Sequence, residues 1–278
     1  MKLKATVVST VFNGEKYFDR SIPSILNQTI NDYEYIILDD GSEDNTLKFL
    51  RKIEKENSNF KVVSLGRLGR AKALNAVVNM AKGDVIFQQD FDDISAPDRI
   101  ERQLAEFEAN PRLGVLGGNY EIYDENRNEK YIRIVPNEHK NIVNSFSRYI
   151  PLAHTIAAFR KEAWVAAGGY PEISDIEDLM LWARIVKCGW LIQNLGGEPL
   201  GVHFVHPKSF WHRSFDYKFR QRALIRCQLE VINNLSLPRY LKIYPFARYL
   251  YMWCPDFIKR ILRRMPFLSK EVDLKSNC

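Results

Sequence analysis

The chain predicts an α/β fold: a mainly parallel central sheet flanked by helices, followed by a helical, basic C-terminal tail. Three observations carry this. Up to Gln89, β-branched apolar runs alternate with helical periodicity, which implies right-handed crossovers and parallel strands. The strand runs are apolar almost throughout, as in strands covered on both faces. Charge is divided unevenly, with 25 Lys/Arg and 29 Asp/Glu in residues 1–207 (net −4) against 15 and 5 in residues 208–278 (net +10).

In order, Ala5 to Phe12 reads as a first buried strand, ended by Asn13-Gly14. Glu15 to Leu26 has helical spacing, with Tyr17, Phe18, Ile22, Ile25 and Leu26 as its apolar set. Strands follow at Tyr33 to Leu38, Phe60 to Leu65 and Val85 to Gln89, separated by helices at Thr46 to Ile53 and Ala71 to Met80. After the last of these strands, Ser95 suits a helix cap and Pro97 a first turn, so a helix is expected from Pro97 to Glu108. Gly114 to Asp124 reads as one strand, with Glu129 to Val135 as its hairpin partner. Short helices are expected at Asn141 to Tyr149 and Lys161 to Ala167, with a short strand at Thr155 to Arg160 between them. An amphipathic helix follows from Asp175 to Lys187, stopped by Gly189, then a strand from Trp190 to Asn194 and a helix from Tyr217 to Asn233. No repeat or linker interrupts residues 1–207. They read as one catalytic domain, with a ligand-binding half in 1–110 and a second half in 111–207, extended by the basic segment 208–278.

Parallel sheets bind ligands beyond the carboxyl ends of their strands. Two such ends are acidic: Asp39-Asp40-Gly41-Ser42, and Asp90, Asp92 and Asp93. Crowded carboxylates raise one another's pKa unless something positive sits among them. Mg²⁺ or Mn²⁺ would serve, since both join carboxylates to phosphates; a solvated acidic loop is the plainer alternative. Asp40 can accept a hydrogen bond from a base N–H. In the basic turn GRLGRAKALN, Arg70 or Lys72 can meet phosphate at a helix N-terminus. Glu177 and Asp178 open a helix downstream of the turn Gly168-Gly169-Tyr170-Pro171. There they either favour the positive helix end or place a base beside a cleft. The dinucleotide fingerprint and the Walker A loop are absent.

These pieces occur in one order: VVSTVFNGEKYFDRSIPSILNQT, IILDDGSEDNT, GRAKALNAVVNMAKGDVIFQQDFDD, APDRIERQ, FRKEAWVAAGGY and EDLMLWARI. In this the chain resembles the family 2 glycosyltransferases of the GT-A fold, over roughly residues 5–190. The resemblance implies an inverting, metal-dependent transferase using a nucleoside-diphosphate sugar, a UDP-hexose, and a saccharide or glycolipid acceptor in cell-surface polysaccharide or lipopolysaccharide assembly. Thr10 and Asp40 would line the nucleoside pocket and Arg70 would meet phosphate. Asp90 and Asp92, extended by Asp93, would face Mn²⁺ or Mg²⁺ and the diphosphate. Asp178 would be the general base with Glu177 beside it. The family's Tyr-Arg-x-His stretch reads His203-Phe204-Val205-His206, keeping only His206 as a metal or diphosphate contact.

Two other classes compete. A sugar-nucleotide nucleotidyltransferase needs a glycine-rich, lysine-bearing loop after the first strand, and FNGEKYF matches it poorly. A non-catalytic carbohydrate-binding protein has no need of the acidic set. Four well-separated cysteines without a CxxC fit reduced thiols in the cytoplasm. The tail LPRYLKIYPFARYLYMWCPDFIKRILRRMPFL, residues 237–268, interleaves aromatics with cations and suits an anionic membrane surface, such as the cytoplasmic face of the inner membrane; a pair of helices packed on the core or in a homodimer, with solvated basic faces, is the alternative. Nucleic acid is not expected, since no zinc-finger or RNA-reading motif is present.

Overall fold

A computed structural model describes residues 4–173, 176–206, 217–255 and 257–259. Its centre is a seven-stranded sheet in the order β10-β6-β9-β4-β1-β2-β3. The strands are β1 (Ala5–Val11), β2 (Tyr33–Asp39), β3 (Phe60–Ser64), β4 (Val85–Gln88), β6 (Leu113–Gly118), β9 (Ala158–Arg160) and β10 (Leu191–Leu195). β9 alone runs against its neighbours; the other pairings are parallel.

Alternate side chains of the central strands enter two cores. Val8, Ile36, Leu38 and Ile86 pack with helices α3 (Arg70–Met80), α6 (Lys161–Ala166) and α7 (Glu177–Lys187). Val7, Tyr35, Ile37 and Phe87 pack with α1 (Phe18–Leu26), α2 (Thr46–Glu56) and α4 (Arg99–Ala109). This two-sided burial is why these strands read as continuous apolar runs.

A second sheet decides the architecture of the site. It has four strands, β5 (Ile94–Ser95), β11 (Gly201–Val205), β7 (Tyr120–Asp124) and β8 (Glu129–Arg133). The stretch Gly114 to Asp124 is therefore not one strand. It breaks at Asn119, passing from β6 in the large sheet to β7 in the small one. Asn119 holds the break: its side chain accepts the Val135 N–H at 3.1 Å and donates to the Gly197 carbonyl at 3.0 Å. A Cβ on Gly118 would come within 2.5 Å of Leu200, so the chain can cross here only without a side chain.

A second correction concerns Ser95. Its hydroxyl donates to Gln89 Oε1 at 2.6 Å, and the residue belongs to β5. The following helix starts later, at Arg99, with Asp98 as its N-cap. Asp175, the expected first residue of α7, lies outside the described residues, and the helix runs from Glu177. Helix α5 (His139–Ser145) sits near its expected position.

Helix α8 (Tyr217–Asn234) contributes Leu224, Cys227 and Val231 to the same core as α7. Helix α9 (Ile243–Trp253) lies against α8. Among the described residues, no helix is long and apolar enough to cross a membrane.

Candidate active site

The two acidic strand ends open onto one cleft of about 260 Å³. Its lining includes Thr10, Phe12, Asn13, Tyr17, Asp40, Arg67, Arg70, Asp90, Asp92 and His206. The common direction of β1, β2 and β4 brings these ends together, although Asp40 and Asp90 are distant in sequence.

At the first end, the protein's own groups hold Asp40. Its Oδ1 accepts the N–H groups of Leu68 (2.6 Å) and Gly69 (3.2 Å), and its Oδ2 pairs with Arg67 at 2.9 Å. The carboxylate thus fixes the turn that begins α3. Gly69, the N-cap of that helix, has φ +85°, a conformation that suits glycine. Arg67 stacks over the Phe12 ring with its guanidinium carbon 3.7 Å from the centroid, making a flat cationic wall on the cleft. Lys72 points elsewhere, to Glu172 on the surface at 3.7 Å.

At the second end, each acid has a different partner. Asp90 Oδ1 lies 3.2 Å from His154 Nδ1 and 3.6 Å from Arg70 Nη2. Burial alone would raise Asp90, but the charges of His154 and Arg70 outweigh it and hold the carboxyl far below its ordinary range. Asp92 Oδ2 lies 3.0 Å from Nε2 of His206, a nitrogen also 2.9 Å from the Tyr17 hydroxyl. Asp93 is fully buried; its Oδ1 accepts the Phe204 N–H at 2.7 Å and its Oδ2 lies 3.0 Å from His203 Nδ1. Both oxygens thereby tie the acidic loop to β11. They point away from the cleft lining, so the geometry gives Asp93 the work of anchoring His203. Burial disfavours a charged imidazole at His203, but Asp93, with Asp92 and Asp90 near it, pushes the group up to about 9.

Beneath the loop lies Arg99, 1% exposed. Its guanidinium donates to the carbonyls of Gln88 (2.8 Å), Thr155 (2.9 Å) and Ala157 (3.2 Å), to Ser95 Oγ and to Gln89 Oε1. Burial draws its pKa down to about 9. Position 99 shares the inner face of α4 with Gln103, and that i, i+4 polar pair amid apolar neighbours was the available sequence signal.

A relay of side chains leads from the cleft towards α7. Arg70 Nε donates to Glu177 Oε1 in a short ion pair, and Arg70 Nη2 is 3.3 Å from His154 Nδ1. The Tyr170 hydroxyl is 3.1 Å from His154 Nε2. His154 thus stands between Asp90 and Arg70 at Nδ1 and Tyr170 at Nε2. Asn75 clamps Tyr170, bonding its N–H and its carbonyl, each at 2.8 Å, which pins the Gly168-Gly169 turn to α3. Asp178 follows Glu177 and accepts the Leu179 N–H at 2.7 Å. Burial and the adjacent Glu177 charge push Asp178 up to about 6, against the pull of His154 and Arg70. Asp178 is outside the cleft lining proper, and its link to the cleft runs through Arg70. His154 is the main residue that sequence reasoning passed over. It stands alone in PLAHT, without periodicity or motif, and only the packing of β9 beside β4 brings it to Asp90.

The family model for glycosyl transferase family 2 matches residues 6–164. The chain belongs to glycosyl transferase family 2. It is 30% identical over 246 residues to the putative glycosyltransferase EpsE of Bacillus subtilis (strain 168), covering 87% of this chain and 86% of EpsE. It is 29% identical over 260 residues to the O-antigen biosynthesis glycosyltransferase WbnJ of Escherichia coli, covering 91% and 96%. The fold of this glycosyltransferase is GT-A-like. Superposition on the crystal structure of S. aureus TarS 1–349 in complex with UDP-GlcNAc gives a TM-score of 0.66 at 17% identity, over 98% of this chain and 77% of TarS.

The residues present can be tested against a divalent ion. Among the described residues, no three His, Cys, Asp or Glu side chains form a ready-made metal cage. Asp92 nevertheless faces the cleft with His206 beside it. One or two carboxylates suffice for Mg²⁺ when substrate phosphates and water complete its coordination. The donor set fits that mode of binding and no all-protein cage.

Proposed function

We propose that this protein is an inverting glycosyltransferase that moves a hexose from a nucleoside-diphosphate sugar, a UDP-sugar, to a hydroxyl of a saccharide or lipid-linked saccharide in surface polysaccharide assembly. The observation that carries the reading is the Arg70 bridge, which joins Asp90 in the cleft to Glu177 beside Asp178. It couples a cleft lined by Arg67, Arg70 and three aspartates to a carboxyl whose pKa suits proton abstraction near neutral pH. The O-antigen role in the name of WbnJ supports the polysaccharide context, and the UDP-GlcNAc bound to TarS supports a uridine donor.

In this reading the nucleoside lies between Thr10, Phe12 and the Asp40–Arg67 wall. Arg70 faces the diphosphate while its other contacts hold Glu177. Asp92, with Asp90 near it and His206 orienting it, would hold Mn²⁺ or Mg²⁺, which when bound supplies positive charge to the departing diphosphate. Asp178 takes the proton of the acceptor hydroxyl as that oxygen attacks the anomeric carbon from the face opposite the leaving group. The C–O bond to the diphosphate breaks as the new glycosidic bond forms, and the centre inverts. Release of nucleoside diphosphate from a panel of nucleotide sugars, with and without Mn²⁺, tests the reading. One donor should be consumed faster once a saccharide acceptor is present. Turnover of none would reject transfer.

A further inference from the structure

Helices α8 and α9 present an apolar face that no described residue covers, although the helix bearing it is firmly seated. On its inner side, α9 buries Pro245 and Met252. Arg248 fastens it, donating to the Arg148 carbonyl at 2.6 Å and to Gln221 Oε1 at 3.0 Å, and Arg148 lies over the Tyr244 ring. On the opposite side Ile243, Phe246, Leu250 and Trp253 recur at helical spacing and are 61, 60, 53 and 52% exposed. Isolated exposed apolar residues are ordinary; a continuous stripe of four large ones is not.

The charge carried by the sequence around the stripe is predominantly positive. Lys218 and Arg222, exposed on α8, reach over the Trp253 ring at 4.5 and 5.7 Å, and Lys242 is exposed at the start of α9. Residues 217–256 hold seven Lys/Arg against two acids, Glu230 and Asp256. A second copy of this chain fits the face poorly. A two-fold pairing places a surface against itself, so it would set these cations, which outnumber the acids, against one another. A bilayer with anionic headgroups satisfies both features, taking the apolar stripe below headgroup depth and the cations at the phosphates.

We propose that the α8–α9 face docks this enzyme on an anionic lipid bilayer, with Phe246, Leu250 and Trp253 inserted and Lys218, Arg222 and Lys242 at the headgroups. The face is built on the segment following α5, through Arg148, and the same segment runs on to His154 in the site.

Flotation of the full chain with phosphatidylcholine vesicles, with and without phosphatidylglycerol, tests the proposal. The protein should float with the anionic vesicles at low salt and remain in solution with the neutral ones. Lys218→Ala/Arg222→Ala/Lys242→Ala should weaken binding about a hundredfold, at roughly fivefold per cation. Phe246→Ser/Leu250→Ser/Trp253→Ser should abolish flotation with an unchanged thermal melt, because these side chains are already exposed. Failure of the wild type to float, or unchanged flotation of the serine variant, would overturn the proposal. So would a serine variant that changes only from dimer to monomer by light scattering, since a second copy would then own the face. Should that variant fold poorly, brominated lipid must quench Trp253 emission, read as the difference between wild type and Trp253→Phe; no difference also overturns it. No donor or acceptor is present in these measurements, so their failure leaves the transfer reading standing.

Discussion

The two acidic strand ends look alike in sequence and do different work. At the end of β2, the Asp40 carboxylate is saturated by Leu68, Gly69 and Arg67, so it shapes the cleft chiefly by fixing the turn into α3. After β4 the acids are divided among partners from other parts of the chain: Asp90 to His154 and Arg70, Asp92 to His206, Asp93 to His203. The first end is local and closed. The second is assembled from several elements and keeps Asp92 partly open to the cleft. Acidity at a strand end marks a site, while the source of its partners tells whether the acid holds structure or meets a ligand.

This contrast can be broken experimentally. Asp178→Asn should give the largest effect, a loss of turnover of about a thousandfold or more, within the upper range for a catalytic base. Folding should survive it. Asp178 is raised in the folded state, so its ionised form disfavours folding, most fully above pH 6; the variant should melt at or above the wild-type temperature at pH 8. A large drop in melting temperature would instead make Asp178 a structural acid.

Asp92→Asn should weaken Mn²⁺-dependent UDP binding by about ten- to a hundredfold, as for disturbed metal ligation, with little change in stability. Equal affinity by calorimetry would remove Asp92 from the ion. Asp40→Asn is the opposite case. It should destabilise the protein by about 1–3 kcal/mol, the usual cost of disturbing buried hydrogen bonds to a charged group, in urea unfolding. If it leaves stability untouched and abolishes donor binding, the two strand ends are equivalent after all.

Arg99→Ala tests what supports the second end. It takes a donor from the carbonyls of Gln88 and Thr155 and from Gln89 Oε1, while the Ala157 carbonyl keeps the Gln88 N–H, and a loss of about 3 kcal/mol is expected from that many buried groups. The smallest effect is in pH dependence. With saturating donor, turnover should fall as pH drops through about 6, because Asp178 then gains the proton it must lack to act as a base. A flat profile between pH 5 and pH 8, read against a direct assay of released nucleoside diphosphate, would argue for another base.

The sequence by itself determined the alternation of strands and helices, the direction of the sheet and the shared rim, because side-chain period and crossover handedness are local properties. It also marked Asp90, Asp92, Glu177 and Arg70 as chemistry-bearing, since their spacing is motif-like. Only tertiary structure decided the small sheet, the break at Asn119, the burial of Asp93 and the arrival of His154. These depend on contacts between residues far apart in the chain, such as Asp93 with β11 and His154 with Asp90. A single sequence specifies such contacts through packing, and packing has no periodicity from which they could be read.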